Sequence, residues 1–230
     1  MKRFAVIGLG MFGKKMAIAL AMSGAEVIAI DKNREEVDLI RDQVSLAVRL
    51  DSTDEDALKS QGVDQVDAAV VCIGQGSGRG FEDAVLTVVN LKQMGLKNIF
   101  ARSEDLIAGQ VFAKVGATEV IYPEIESAQR WAYKLIAPHI GEKVDFAPGY
   151  SLASVKAPPS FDQKTVMDLR LRQKYNVNLI SIKRGVHSRD RKKEEADNII
   201  SVPLPNTVIY EGDILMITGS DEDLIKLPQE

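Results

Sequence analysis

The sequence is poor in the side chains that build covalent frameworks and metal centres. It holds one cysteine, Cys72, and two histidines, His139 and His187, in 230 residues. A lone cysteine excludes an intramolecular disulfide framework and suits a reducing compartment. No Cys/His set has metal-ligand spacing, and neither GxSxG nor HExxH occurs. Long apolar runs are also missing: no stretch approaches the ~18 to 20 residues of a membrane span. Residues 1–7 first suggest a leader, but Gly8 and Gly10 interrupt it before an apolar core of the required length forms. Basic excess is absent too. The net charge is -4 and the pI about 5.4, so nothing draws the chain to nucleic acid or an anionic bilayer. If the protein works at a membrane, another chain has to hold it there.

What is present fits a globular chain, with 45% hydrophobic and 27% charged residues. The length suits one large or two small domains. Up to about residue 140, short apolar runs alternate with helix-period segments. Strands are expected at residues 4–7, 26–30, 45–50, 68–73, 98–102 and 119–122. Helices are expected at 11–22, from Asn33, from a start at Ser52-Thr53-Asp54-Glu55, and at 81–94 and 105–115. Strands alternating with helices imply parallel pairing through right-handed crossovers. Continuous apolar strands imply a sheet covered on both faces. The expected first domain, residues 1–140, is therefore a Rossmann-like, doubly wound α/β sheet.

The pattern then changes. A long helix containing Trp131 is expected over residues 124–140, and a linker over 141–149. Beyond it, strands are expected at 151–156, 177–183 and 214–218. Thr165 caps a helix reaching about Tyr175, and Ser220 caps a short last one. The mixed-charge stretch 183–197 reads as an exposed hairpin loop. Residues 145–230 form a small α+β domain on this reading.

Gly8-Leu9-Gly10-Met11-Phe12-Gly13 is GxGxxG. It follows a strand, opens a helix, and is followed at the end of the second strand by Asp31, which is the context the motif requires. Gly8 permits a tight turn, Gly10 lets phosphate approach the backbone, and Gly13 allows the helix close to the sheet. The helix N-terminus supplies N–H groups and partial positive charge. Asp31 suits ribose hydroxyls and disfavours a 2′-phosphate, an exclusion that Lys32 softens. The expected ligand is an adenine nucleotide, ATP/ADP or NAD/NADH. Asp51 and Ser52 should lie beside the adenosine, although Ser52 has an equal claim as a helix cap. Ile73 and Gly74 should border the crevice where strand order reverses. Arg102 ends the fifth strand and points a charge toward the same crevice or into solvent. Cys72 reads as a core residue of the fourth strand.

Hydride chemistry needs a proton donor or another way to position substrate. Neither histidine can be placed in the crevice, and Tyr133 and Lys134 are adjacent rather than on one helix face. That shortage favours a nucleotide sensor, not an enzyme. An NAD-dependent oxidoreductase is the alternative. A redox-sensing transcription regulator would need a helix-turn-helix and a basic face, and neither is found.

FAVIGLGMFG, Asp31, LDSTDEDAL, VVCIG and Ile121-Tyr122-Pro123-Glu124 together resemble the RCK domain (regulator of conductance of potassium). The second half, from Tyr150-Ser151-Leu152 through Val166-Met167-Asp168-Leu169 to Glu211-Gly212-Asp213-Ile214-Leu215, is similar to that family's C-terminal (TrkA-C-like) domain. The chain resembles the cytosolic regulatory subunits of bacterial Trk and Ktr potassium uptake systems. The resemblance implies a homo-oligomer, typically an octameric ring, at the inner face of the cell membrane under a potassium transporter subunit. It implies gating by nucleotide-dependent change of ring shape. It carries over Gly8, Gly10, Gly13, Asp31, Asp51, Ser52 and Arg102 as nucleotide contacts, with Met11, Phe12, Lys32, Ile73 and Gly74 around them. Glu124, and more weakly Glu126, would help hold a divalent or monovalent cation between subunits. Met11 departs from the arginine frequent in Ktr-type chains, so discrimination of ATP from ADP is open there. Some relatives bind cyclic di-AMP; the corresponding segment is 166–172, with Arg172 as a phosphate contact, but helix-surface charge is the preferred reading.

Overall fold

The computed structural model describes residues 1–74, 78–185 and 199–228. It divides into two compact units, Met1–Ser127 and Ala128–Glu230. The division falls inside a helix, earlier than the 140/145 boundary read from composition.

The first unit is a six-stranded sheet in the order β3-β2-β1-β4-β5-β6. Its strands are β1 (Arg3–Ile7), β2 (Glu26–Asp31), β3 (Leu46–Arg49), β4 (Ala68–Val71), β5 (Ile99–Arg102) and β6 (Glu119–Ile121). All described pairings in it are parallel. Order reverses between β1 and β4; β2 and β4 flank the same β1 residues, with Phe4 next to Val27 on one side and Ala68 on the other.

Side chains of alternate residues feed two cores. Ala5, Ile7, Ile28, Ile30, Ala69 and Val71 face one way, toward Leu58, Val88, Leu91 and Phe112. Val6, Val27, Ala29, Val70 and Cys72 face the other way, toward Ala17, Val37 and Ile40. That is why the strands lack polar alternation: both faces are covered. Each fully buried aliphatic or aromatic side chain contributes about 1.5–3 kcal/mol.

The helices that cover the sheet are α1 (Met11–Met22), α2 (Arg34–Ile40), α3 (Glu55–Ser60), α4 (Gly80–Gln93) and α5 (Leu106–Val115). Asn33, Asp54 and Asp105 cap α2, α3 and α5 through their side chains. The cap of α3 is thus Asp54, and Ser52 has another task. The next helix, α6 (Pro123–Ile136), runs across the division between units.

The expected helix to residue 140 is too long. It ends at Ile136. Pro138 lacks an N–H and restricts the residue before it. The expected linker is in fact a strand, β7 (Ile140–Ala147), which pairs with β8 (Tyr150–Lys156). Its register shifts between Ile140 and Lys143, where Ser154 Oγ accepts the Glu142 N–H at 2.8 Å. Gly141 lies against Ser154, leaving no room for a Cβ. Glycines that read as linker therefore mark a bulge and a hairpin turn.

The second unit is built on an antiparallel sheet, β11-β10-β13-β8-β7, with β10 (Asn178–Lys183), β11 (Ile199–Ile200) and β13 (Ile214–Ser220). A small ribbon pairs β9 (Lys164–Thr165) with β12 (Val208–Ile209). Its core gathers Val155, Phe161, Ile182, Leu215, Ile217 and Leu224. The single helix expected from Thr165 to Tyr175 is two: α7 (Val166–Leu169) and α8 (Leu171–Tyr175). Thr165 and Asp168 close a capping box, and Arg170 breaks the run at φ 46°. The break turns both Leu169 and Leu171 into the core, which two residues at that spacing on one helix cannot do. Ser220 caps α9 (Asp221–Ile225). His187 and most of the mixed-charge stretch lie outside the described residues. Among the described residues, no helix is long and apolar enough to cross a membrane.

Candidate functional site

A cavity of about 310 Å³ opens at the strand reversal. Gly8 and Gly10 from the glycine turn, Asp31 ending β2 and Lys32 after it, Asp51 and Ser52 after β3, and Ile73 and Gly74 after β4 all line it. The sequence reading placed each of these eight at the crevice, and they converge there. Leu50, Cys72, Arg79, Gly80 and Asp83 also line it. The last three sit at the start of α4. Local sequence does not reveal them, because nothing in a local pattern says which helix closes over a parallel sheet.

The turn is dictated by sterics. Gly8 has φ +92°, and a Cβ there would lie 2.7 Å from the Ile73 nitrogen. A Cβ on Gly13 would lie 1.8 Å from the Gly8 carbonyl oxygen. A Cβ on Gly10 would meet nothing within 4 Å. The glycine at position 10 is thus not demanded by the protein's own packing, and open space lies above it.

The electrostatics suit an anion. No side chain caps α1, unlike α2 and α3, and its first turn holds no acid, unlike those of α2, α3 and α4. The N–H dipoles at its start are uncompensated. Asp31 anchors the turn by accepting the Leu9 N–H at 2.6 Å and the Asn33 N–H at 2.8 Å. Each carboxylate oxygen keeps a lone pair for another donor. Asp51 accepts from the Thr53 N–H and hydroxyl, which hold its carboxyl below the usual aspartate value. Lys32 donates to Asp83 at 3.0 Å, and that carboxylate raises the lysine above its ordinary pKa.

Ser52 is buried and bonds to Thr87 at 2.7 Å. Thr87 already donates its hydroxyl to the Asp83 carbonyl. The Ser52 proton therefore goes to Thr87, and Ser52 Oγ is left as an acceptor. Cys72 lines the cavity as well as the core. Burial pushes its thiol up to about 12, so it is no thiolate nucleophile.

Five candidates fall elsewhere. Met11 is 85% exposed at the start of α1, and Phe12 packs on the α1 side of the sheet. Neither lines the cavity. Arg102 does not line it either: its guanidinium pairs with Glu124 at 2.5 Å and Glu104 at 3.3 Å. The Arg102 bond holds the Glu124 carboxyl below its usual range. Glu126 accepts the Tyr122 N–H at 3.3 Å. Among the described residues, no three Asp, Glu, His or Cys side chains converge on a cation site. A carboxylate already neutralised by arginine does not form such a site by itself, so the cation expectation for Glu124 lacks support within one chain.

A sheet in this order, with a glycine turn at the reversal and an acid ending β2, defines a Rossmann-type nucleotide fold, here joined to a separate antiparallel domain. Residues 4–123 match the TrkA-N domain family and residues 151–228 the TrkA-C domain family. The chain belongs to this TrkA-N/TrkA-C family. It is 34% identical to Ktr system potassium uptake protein C of Bacillus subtilis, over 97% of this chain and 94% of that protein. It is 31% identical to Ktr system potassium uptake protein A of the same organism, over 100% and 96%. Among solved structures it is similar to the RCK domain of GsuK, with a TM-score of 0.59 and 15% identity over 98% of this chain and 46% of that one. The GsuK channel bound to NAD gives a TM-score of 0.55 at 20% identity, over 97% and 37%. At those identities the likeness is one of fold.

Proposed function

We propose that this chain is a non-enzymatic, nucleotide-sensing regulatory subunit of a Ktr-type potassium uptake system. The observation that carries the reading is the cavity itself. An uncapped helix start, an open approach above Gly10, the Asp31 carboxylate and the Ser52 acceptor face one space sized for a nucleotide. The α1 terminus takes the phosphates, Asp31 the ribose hydroxyls, and Ser52 a donor from the adenosine. Similarity to Ktr uptake proteins along the whole chain supplies the biological setting.

The titratable groups lining the cavity are Asp31, Lys32, Asp51, Cys72, Arg79 and Asp83. The thiol is held protonated by burial, and Lys32 and Asp31 are engaged. This favours a ligand that sets shape over a cofactor that reacts. The bound form is a ring of copies at the cytoplasmic face of a potassium-transporting membrane partner. Titration of the full chain with ATP, ADP, NADH and NAD, alongside oligomeric mass, tests it. Saturable binding without turnover, and a mass of several chains, are expected. Binding of none of the four sinks the proposal. Steady NADH consumption with a small substrate would favour the oxidoreductase instead.

A further inference from the structure

Resting on that adenine-nucleotide reading, we propose that Asp83 is a specificity-determining residue, which excludes 2′-phosphorylated nucleotides by holding the Lys32 ammonium. Lysine directly after the ribose acid is the cation a 2′-phosphate would seek. In sequence Lys32 looks available for it; in the structure it is committed. Its ammonium lies 3.0 Å from Asp83 across the cavity mouth, on the first turn of α4. The Lys32 side chain is 67% exposed but that of Asp83 only 19%. The carboxylate is therefore the fixed partner and the lysine the mobile one.

Asp51 and Asp31 also hold the Lys32 ammonium charged at longer range, behind its direct bond to Asp83. Two neighbouring cations temper this negative charge without cancelling it: Asp31, Asp51, Asp83 and Glu82 still outnumber Lys32, Arg49 and Arg79 by one charge. Arg49, opposite Asp31 on β3, donates its Nε to the Lys32 carbonyl at 3.1 Å. Arg79 pairs with Glu82 at 3.3 Å. A 2′-phosphate would bring further negative charge into this acidic corner. To pair with Lys32 it must share an ammonium already bonded to Asp83 and settle beside that carboxylate, so like-charge repulsion offsets the gain of the new bond.

Calorimetric titration of the full chain with ADP-ribose and 2′-phospho-ADP-ribose tests this, since both carry the ribose and diphosphate common to ADP and NAD. Wild type should prefer ADP-ribose. Asp83→Asn keeps the shape and frees the lysine, and should raise affinity for the 2′-phosphorylated ligand relative to ADP-ribose about tenfold. Adding Lys32→Met should remove the gain, and thermal midpoints verify that each variant folds. No wild-type preference, an unchanged ratio in Asp83→Asn, or a gain that survives Lys32→Met overturns the inference alone. Failure of wild type to bind ADP-ribose removes the nucleotide reading and the inference with it.

Discussion

Alanine at Gly13 and alanine at Gly10 each add one side-chain atom to the same turn, yet the structure gives them opposite consequences. At Gly13 the new Cβ would sit 1.8 Å from the Gly8 carbonyl oxygen and 3.2 Å from the Cys72 Cβ. Both neighbours are fixed, one by backbone and one by the core of the sheet, so α1 must move. Overpacking of this kind costs about 1–3 kcal/mol, occasionally more. The better helix propensity of alanine returns at most about 1 kcal/mol. A net loss of about 1–2 kcal/mol should lower the melting temperature by roughly 2–8 °C in a chain this size. At Gly10 the added Cβ meets nothing, and φ is already -63°. Alanine there loses some of the N-cap preference and gains from a less flexible unfolded chain, two effects of under about 1 kcal/mol that oppose each other. Gly10→Ala should therefore melt within roughly 3 °C of wild type. It should still abolish nucleotide binding, because the methyl group occupies the approach above the turn. Calorimetric melting and nucleotide titration on both variants check this. Wild-type melting of Gly13→Ala, or full-affinity binding by Gly10→Ala, would refute the steric account of the turn.

Three further outcomes are expected. Met11→Arg places a cation on the exposed first residue of α1, and should strengthen ATP relative to ADP in paired titrations; an unchanged ratio means that the position faces away from the phosphates. Thr87→Val removes the acceptor of the buried Ser52 hydroxyl, and should lower urea-unfolding stability by about 1–2 kcal/mol, with no loss arguing against that bond. The Glu124 carboxyl, held low by Arg102, binds fewer protons folded than unfolded. The stability it contributes is present above the ordinary glutamate pKa of about 4.3 and lost as pH falls through the lower folded value. In Arg102→Gln, nuclear magnetic resonance titration of Glu124 should show its pKa moving back up, and no movement would contradict the pairing.

Much of the first unit was legible because its information is local. The bounds of α1 follow from a glycine turn and an apolar run, and Asp31 from its place after a buried strand. Ser52 was harder: the expected helix start exists, but Asp54 caps it, and Ser52 bonds to Thr87, 35 residues away. The strand β7 was read as a linker because its pairing partner, not its own composition, makes it a strand.

What the sequence by itself determined is the alternation of strands and helices, the glycine turn and the acid beside it, since periodicity and Cβ sterics act over a few residues. Tertiary structure alone decided which charges are committed. Lys32 meets Asp83 across 51 residues and Arg102 meets Glu124 across 22. Ion pairs form wherever the fold brings opposite charges within a few ångströms, and sequence distance does not reveal that proximity.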